Sequence, residues 1–248
     1  MCAVFRPTPF SSARSDGSRP SCLSRRWLVT LLLWLGAMLA SPAWAQRPPN
    51  VTAGELALLP EYCPDTMGFN YGDRHGGNAS PRAPYWVSLM GESFWHQHHY
   101  CWALIKKRRA LAPGQSRVLR IGGLQSAMGD FNYLVTNAAP DFIMLPEVYY
   151  EIGDTLILLE NYGGAREALE IARRKKPDYW PACTRWAEFL AKLGKASDAR
   201  DHVLVCLKAA PRQAELLAAY REYGGDAEAY LRALPPEGAA APASGARN

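Results

Sequence analysis

The sequence predicts an all-α protein. Two segments of its C-terminal half can be laid on one another without gaps at an offset of 34 residues, a period typical of stacked helical pairs. Apolar residues from 115 to 137 recur at spacings of three and four, the period of one helix face. Glycine pairs and prolines fall where helices of these lengths would end.

The chain opens with a segment that the fold does not need. Arg25 and Arg26 flank Trp27–Ala40, which is apolar apart from Thr30 and Gly36, and Ala43-Trp44-Ala45 has the form of an A-x-A cleavage site. Residues 1–45 therefore read as an export signal, with the mature chain starting at Gln46 and lying in a bacterial periplasm. The apolar run is shorter than the roughly 20 residues that span a bilayer, so no transmembrane anchor is expected after cleavage. Ser24-Arg25-Arg26 is a partial twin-arginine pattern, and no cysteine follows the cleavage site to carry a lipid. This segment holds five arginines and one acid, so its loss takes the formal charge from +5 to +1. A chain so near neutrality has no broad positive field for a phosphate backbone, and a nucleic-acid partner is not expected.

Residues 46–80 read as a linker and a long surface loop, rich in Gly, Asn, Asp and Tyr after Pro60. Asp65 and Asp73 within it are expected to be solvated. Four cysteines belong to the mature chain, Cys63, Cys101, Cys183 and Cys206, and they allow three pairings. A Cys63–Cys101 bridge would pin the loop, and Cys183 and Cys206 fall on opposing helices of one repeat. Buried free thiols are the alternative to either bond.

Residues 81–145 read as a degenerate helical pair. Ser80-Pro81 is a helix start, apolar periodicity runs from Trp86 to Leu111 with a break at Gly91, and Pro113-Gly114 ends the element. The following helix carries Val118, Ile121, Leu124, Met128, Phe131 and Leu134 on one face. Gly122-Gly123 would cost it about 1 kcal/mol each against alanine, which implies a close helix contact there. On a helical wheel Phe94, Trp95, His98, Cys101, Trp102 and Ile105 share a face, so His98 points to the core and needs a hydrogen-bond partner. His96 and His99 fall on the other side as two potential metal ligands, with His75 upstream. The run Lys106-Lys107-Arg108-Arg109 sits at a helix end, where it complements the dipole; contact with anionic lipid or peptidoglycan is the alternative.

In the 34-residue register Tyr149 falls on Cys183, Ile152 on Trp186, Gly153 on Ala187, Leu156 on Leu190, Ala165 on Ala199, Leu169 on Val203 and Pro177 on Pro211. Small residues at four of these positions let two antiparallel helices approach, and the large ones fill the seam. The period and the order of large, small and proline positions resemble the tetratricopeptide repeat. That resemblance covers residues 146–234 and ends in a capping helix, Arg212–Tyr223, and a short amphipathic segment before Leu234. It implies antiparallel helical pairs forming a short right-handed solenoid. Two full repeats are fewer than such arrays usually need, so the preceding residues must close the stack. Residues 235–248, rich in Pro, Ala and Gly, read as a disordered tail.

The resemblance also implies a concave surface lined by Glu147, Tyr150, Asp154 and Leu158, then Thr184, Glu188 and Lys192, with Glu222 from the cap. Such a lining is mainly acidic and suits an extended or basic segment of a partner protein. No catalytic motif is present: G-x-S-x-G, G-x-x-x-x-G-K, His-Glu-x-x-His and a strand-to-helix G-x-G-x-x-G are all absent. The expected function is an exported adaptor or scaffold of a cell-envelope complex that needs no cofactor. A metal- or haem-binding envelope protein using residues 95–102 is the second reading, and an enzyme of unrecognised type in the same region the third.

Overall fold

A computed structural model describes residue 48 and residues 50–71 and 74–236. The export signal expected over residues 1–45, and residues 237–248 of the tail, lie outside the described residues. Ten helices are found among those described, with one two-residue antiparallel ladder, β1 (Asn70–Tyr71) paired to β2 (Arg74–His75). No helix among the described residues is long and apolar enough to cross a membrane.

The region expected to be linker and loop is ordered by its own chemistry. Thr52 starts α1 (Ala53–Ala57) with a capping box: the Glu55 amide donates to its hydroxyl, and the Thr52 amide donates to the Glu55 carboxylate. The stretch after Pro60 is not a solvated surface loop. Tyr62, Cys63, Thr66, Phe69 and Ser80 are buried, and Cys63 and Phe69 belong to the main core. Asp65 is not solvated either, because the Trp86 indole N–H donates to it at 2.7 Å and the Ser80 hydroxyl at 2.7 Å. The expectation failed because glycine- and asparagine-rich stretches have no periodicity to read, whereas this one is folded by partners distant in sequence.

Helix α2 (Ala83–Met90) ends at Gly91, whose φ of 70° reverses the chain into a 3-10 turn over Glu92–His96. Helices α3 (Gln97–Ala110) and α4 (Arg117–Asn137) then form a closely packed pair. Their close approach is set at Gly123, where an added Cβ would lie 2.8 Å from the Ala110 Cβ; at Gly122 it would meet nothing. One glycine of the pair is thus demanded by packing and the other is not.

The repeat segment contains α5 (Leu145–Leu158), α6 (Tyr162–Lys175), α7 (Trp180–Lys192) and α8 (Ala196–Leu207). Helix α5 packs on α6 and α7 on α8, with further contacts of α7 to α6 and α5. Helices α6 and α8 begin at equivalent positions of the 34-residue register, Tyr162 and Ala196. Burial keeps the same register: Gly153 and Ala187, Ala165 and Ala199, and Leu169 and Val203 are buried pairwise. A Cβ on Gly153 would stand 2.6 Å from Leu169 Cγ, so the small residue is what lets α6 close on α5. The chain ends in α9 (Ala214–Glu222) and α10 (Ala227–Arg232), which complete a second core with α7 and α8 around Val203, Leu207 and Leu216.

Both cysteine pairings weighed from sequence are at bonding distance: Cys63–Cys101 at 2.01 Å and Cys183–Cys206 at 2.06 Å. The first ties the stretch after Pro60 to α3, and the second ties α7 to α8.

Two neighbouring substitutions test the α3–α4 contact. Gly123→Ala should destabilise the protein by about 1–2 kcal/mol through overpacking against Ala110. Gly122→Ala should stabilise it by up to about 1 kcal/mol through helix propensity. Urea unfolding of both variants checks the sign of each change.

Candidate functional site

The expected groove residues lie on α5 and α7, but their chemistry is set by α3. Lys107 is buried against α5, and its ammonium donates to Glu151 at 2.6 Å and pairs with Asp154 at 2.5 Å. Arg185 of α7 binds the other oxygen of Asp154 and lies 3.6 Å from Glu188. A row of charges therefore runs from α3 through α5 to α7. Burial alone would raise the Asp154 carboxyl, but Lys107 and Arg185 outweigh it and hold the group below its ordinary value. Asp154 is a link between helices, and its charge is already answered from within.

Glu147 stands at the other end of α5. The Tyr100 hydroxyl donates to it at 2.5 Å. Burial moves its carboxyl upward, opposed by the Tyr100 hydrogen bond and reinforced by the charge of Glu151. Beside it Tyr62 receives a hydrogen bond from the Gln97 amide at 3.0 Å, and Gln97 is buried with its Oε1 lacking a protein partner.

Tyr150 and Tyr179 meet edge to face at 6.2 Å. Burial, then the charge of Asp154, pushes the Tyr150 phenol up to about 12. Glu188 has a half-exposed side chain, and Lys192 and Glu222 are exposed. Thr184 turns its hydroxyl back on the Trp180 and Pro181 carbonyls. Leu158 ends α5 one turn beyond Asp154. It lines a groove of about 610 Å³ between the end of α5 and the start of α4, facing Arg117, Arg120 and Ile121.

The histidines are arranged differently from the expected face assignment. His98 is buried as expected and donates from Nδ1 to the Trp95 carbonyl at 2.9 Å. His99, expected on the open side, is buried as well, with its Nδ1 2.9 Å from Asp130. Lys106 donates to the other oxygen of that fully buried carboxylate at 2.6 Å. The wheel failed here because α3 is enclosed on most sides, not on one face. His96 is partly exposed with its ring near Tyr133, and the side chain of His75 lies outside the described residues. Among the described residues His96 and His99 do not join in any group of three metal-binding side chains.

The group of three that does occur was not foreseen: Cys183, Cys206 and His202, whose ring nitrogen is 3.8 Å from Cys206 Sγ. The His-x-x-x-Cys spacing on α8 was legible in the sequence as one helix face. With the sulfurs bonded to each other the thiolates that would ligate a metal are not available.

Lys107, Arg108 and Arg109 lie in the last turn of α3, as expected, and the side chains of the run also reach specific partners. Lys106 meets Asp130, Lys107 meets Glu151 and Asp154, Arg109 forks onto Glu55, and Arg108 donates to the Leu58 carbonyl. Each holds a different part of the chain. Comparison with known proteins adds no name to this site, because no protein-family model and no curated protein matches the chain.

Two predictions test the buried network. Asp130→Ala leaves His99 and Lys106 without their shared acceptor and should cost about 3 kcal/mol in urea unfolding, whereas His96→Ala should change stability by less than about 0.5 kcal/mol. Acid should also weaken the fold through its buried imidazoles. Burial, aided by neighbouring His99, pulls His98 down to about 4, and burial, aided by Arg173, does the same to His202. Unfolded imidazoles bind protons from about 6.5, so their contribution is complete above that pH and is lost as pH falls toward about 4. The thermal midpoint should drop across this window, and His98→Gln should make the drop smaller.

Proposed function

We propose that this chain is an exported tetratricopeptide-type adaptor of the cell envelope, a short solenoid that engages a segment of a partner protein through the surface lined by α5 and α7. The observation that carries this reading is the shared register of the two helical pairs, with small residues at the same seam positions and the same short connection in each. First helices of the two units are joined by the Asp154–Arg185 bridge, which fixes their spacing and so the spacing of the side chains they present. Tyr150, Tyr179 and Glu188 are left beside that bridge to meet a partner. An aromatic pair with one acid suits an extended segment carrying an apolar side chain and a basic one. Two disulfides and the absence of a membrane-crossing helix among the described residues are compatible with export.

Site-specific photo-crosslinking in the native cell tests this. A probe at Tyr150 should capture one or a few proteins that a probe at exposed Glu167 of α6 does not. Glu188→Lys should reduce that capture about tenfold, the effect of losing roughly 1.4 kcal/mol. Equal capture from both positions, or capture from Tyr150 that Glu188→Lys leaves unchanged, would overturn the groove as the working surface.

A further inference from the structure

We propose that the end of the molecule formed by the α3–α4 turn is a contact surface for an anionic lipid bilayer. This inference does not rest on the groove reading: the two surfaces meet only at Leu158, and the aliphatic and arginine side chains that carry the proposal are not among the residues named for that groove.

Three aliphatic side chains stand out in water at this end: Leu111 is 41% exposed, Val118 80% and Leu119 64%. The fold brings them together because Leu111 closes α3, Ser116 caps α4 after a four-residue turn, and Val118 and Leu119 lie in the first turn of α4. Val118 and Leu119 are adjacent in sequence and both protrude, so one cannot be covered by the face that buries the other. Neighbouring aliphatics this open in a protein with a full core mark a surface that meets another phase.

Charge selects that phase. Arg108, Arg117 and Arg120 are exposed around the same three side chains. Glu160 lies 4.0 Å from Arg117, and both of those side chains are more than 70% exposed, so this contact neutralises little. Within the fold the contrast is sharp: the inward cations Lys106 and Lys107 meet buried or half-buried carboxylates, while the outward Arg117 and Arg120 lie beside exposed apolar side chains. Aliphatic groups ringed by arginine are the pattern of a segment that seats its apolar atoms below the headgroups and its cations on their phosphates. The surface passes into the groove where Ile121, Leu156 and Leu158 offer an acyl chain apolar contact and Arg117 and Arg120 offer an anionic headgroup two guanidinium groups, with Glu160 the one acid among the described residues of the lining. The chain joins the fold at this same end, with the Asn50 carbonyl accepting a hydrogen bond from Arg109.

Co-sedimentation of the purified protein with vesicles tests the proposal. Binding is expected to vesicles of phosphatidylglycerol mixed with phosphatidylethanolamine, to be at least about tenfold weaker to phosphatidylcholine alone, and to fall as ionic strength rises. The pair Val118→Asp with Leu119→Asp, and separately the pair Arg117→Glu with Arg120→Glu, should each lower the anionic-vesicle affinity by about tenfold or more. All four positions are exposed, so the thermal melt should not move, and Arg200→Glu on α8 should leave vesicle binding unchanged. Absence of binding, equal binding to both vesicle types, loss equal to that of Arg200→Glu, or binding untouched by either pair would each overturn the proposal.

Discussion

The structure depends on pairing the cations that α3 carries into the interior. An ammonium held away from water is strongly destabilising unless an anion meets it with good geometry. Lys106 and Lys107 are adjacent, so their side chains leave the helix about 100° apart and need acids on two different neighbours. Asp130 of α4 answers the first, and Glu151 and Asp154 of α5 answer the second. Two residues later Arg109 does the same for α1 through Glu55. One helix thereby fixes the placement of three others, and Cys101 on its far side fixes the stretch after Pro60.

On the proposed solenoid reading, this arrangement accounts for two helical pairs standing without a third before them. In a longer array another pair would cover one flank of α5, and here α3 and α4 lie against that flank. The contact is not a copy of the repeat seam. It adds Tyr100, Lys107 and their carboxylate partners to an apolar cluster of Ile105, Ala127, Phe131, Val148 and Ile152, and such a contact tolerates little slippage, because a shift of one turn would leave Lys107 unpaired. The second core, around Val203 and Leu216, needs no comparable device, since α9 and α10 close it with apolar side chains.

Much of the helical layout was legible because periodic burial leaves a periodic sequence. The 34-residue register, the glycine break at Gly91, the contact at Gly123 and the four cysteines each had a local signature. What could not be read was everything decided by partners far apart in sequence. Asp65 looks like any loop acid until Trp86 and Ser80 are placed beside it, and His99 looks like an open ligand until α4 brings Asp130 to its ring. The wheel for residues 94–105 assumed one buried face, but the chain turns in a 3-10 geometry through His96 before α3 begins, and α3 is then enclosed nearly all round. Of the proposed groove, the sequence named Tyr150 and Glu188, which the fold leaves partly exposed beside Arg185. It could not show that Asp154 is spoken for, since one of the two cations that answer it lies on a helix outside the repeat.

That internal pairing changes what the groove can recognise. A lining of free carboxylates would attract any basic chain over a distance of about one Debye length, with little discrimination. With Asp154 held between Lys107 and Arg185, the charge there is local and fixed, and it contributes position more than field. Glu147 is likewise drawn in by the Tyr100 hydroxyl and by burial. On the proposed adaptor reading, the features left to a partner are the Tyr150–Tyr179 pair and Glu188 on the next helix. Recognition by such a surface depends on shape and spacing first and on charge second, and the α3 cations, although they belong to a part of the chain that carries no repeat, are what set that order.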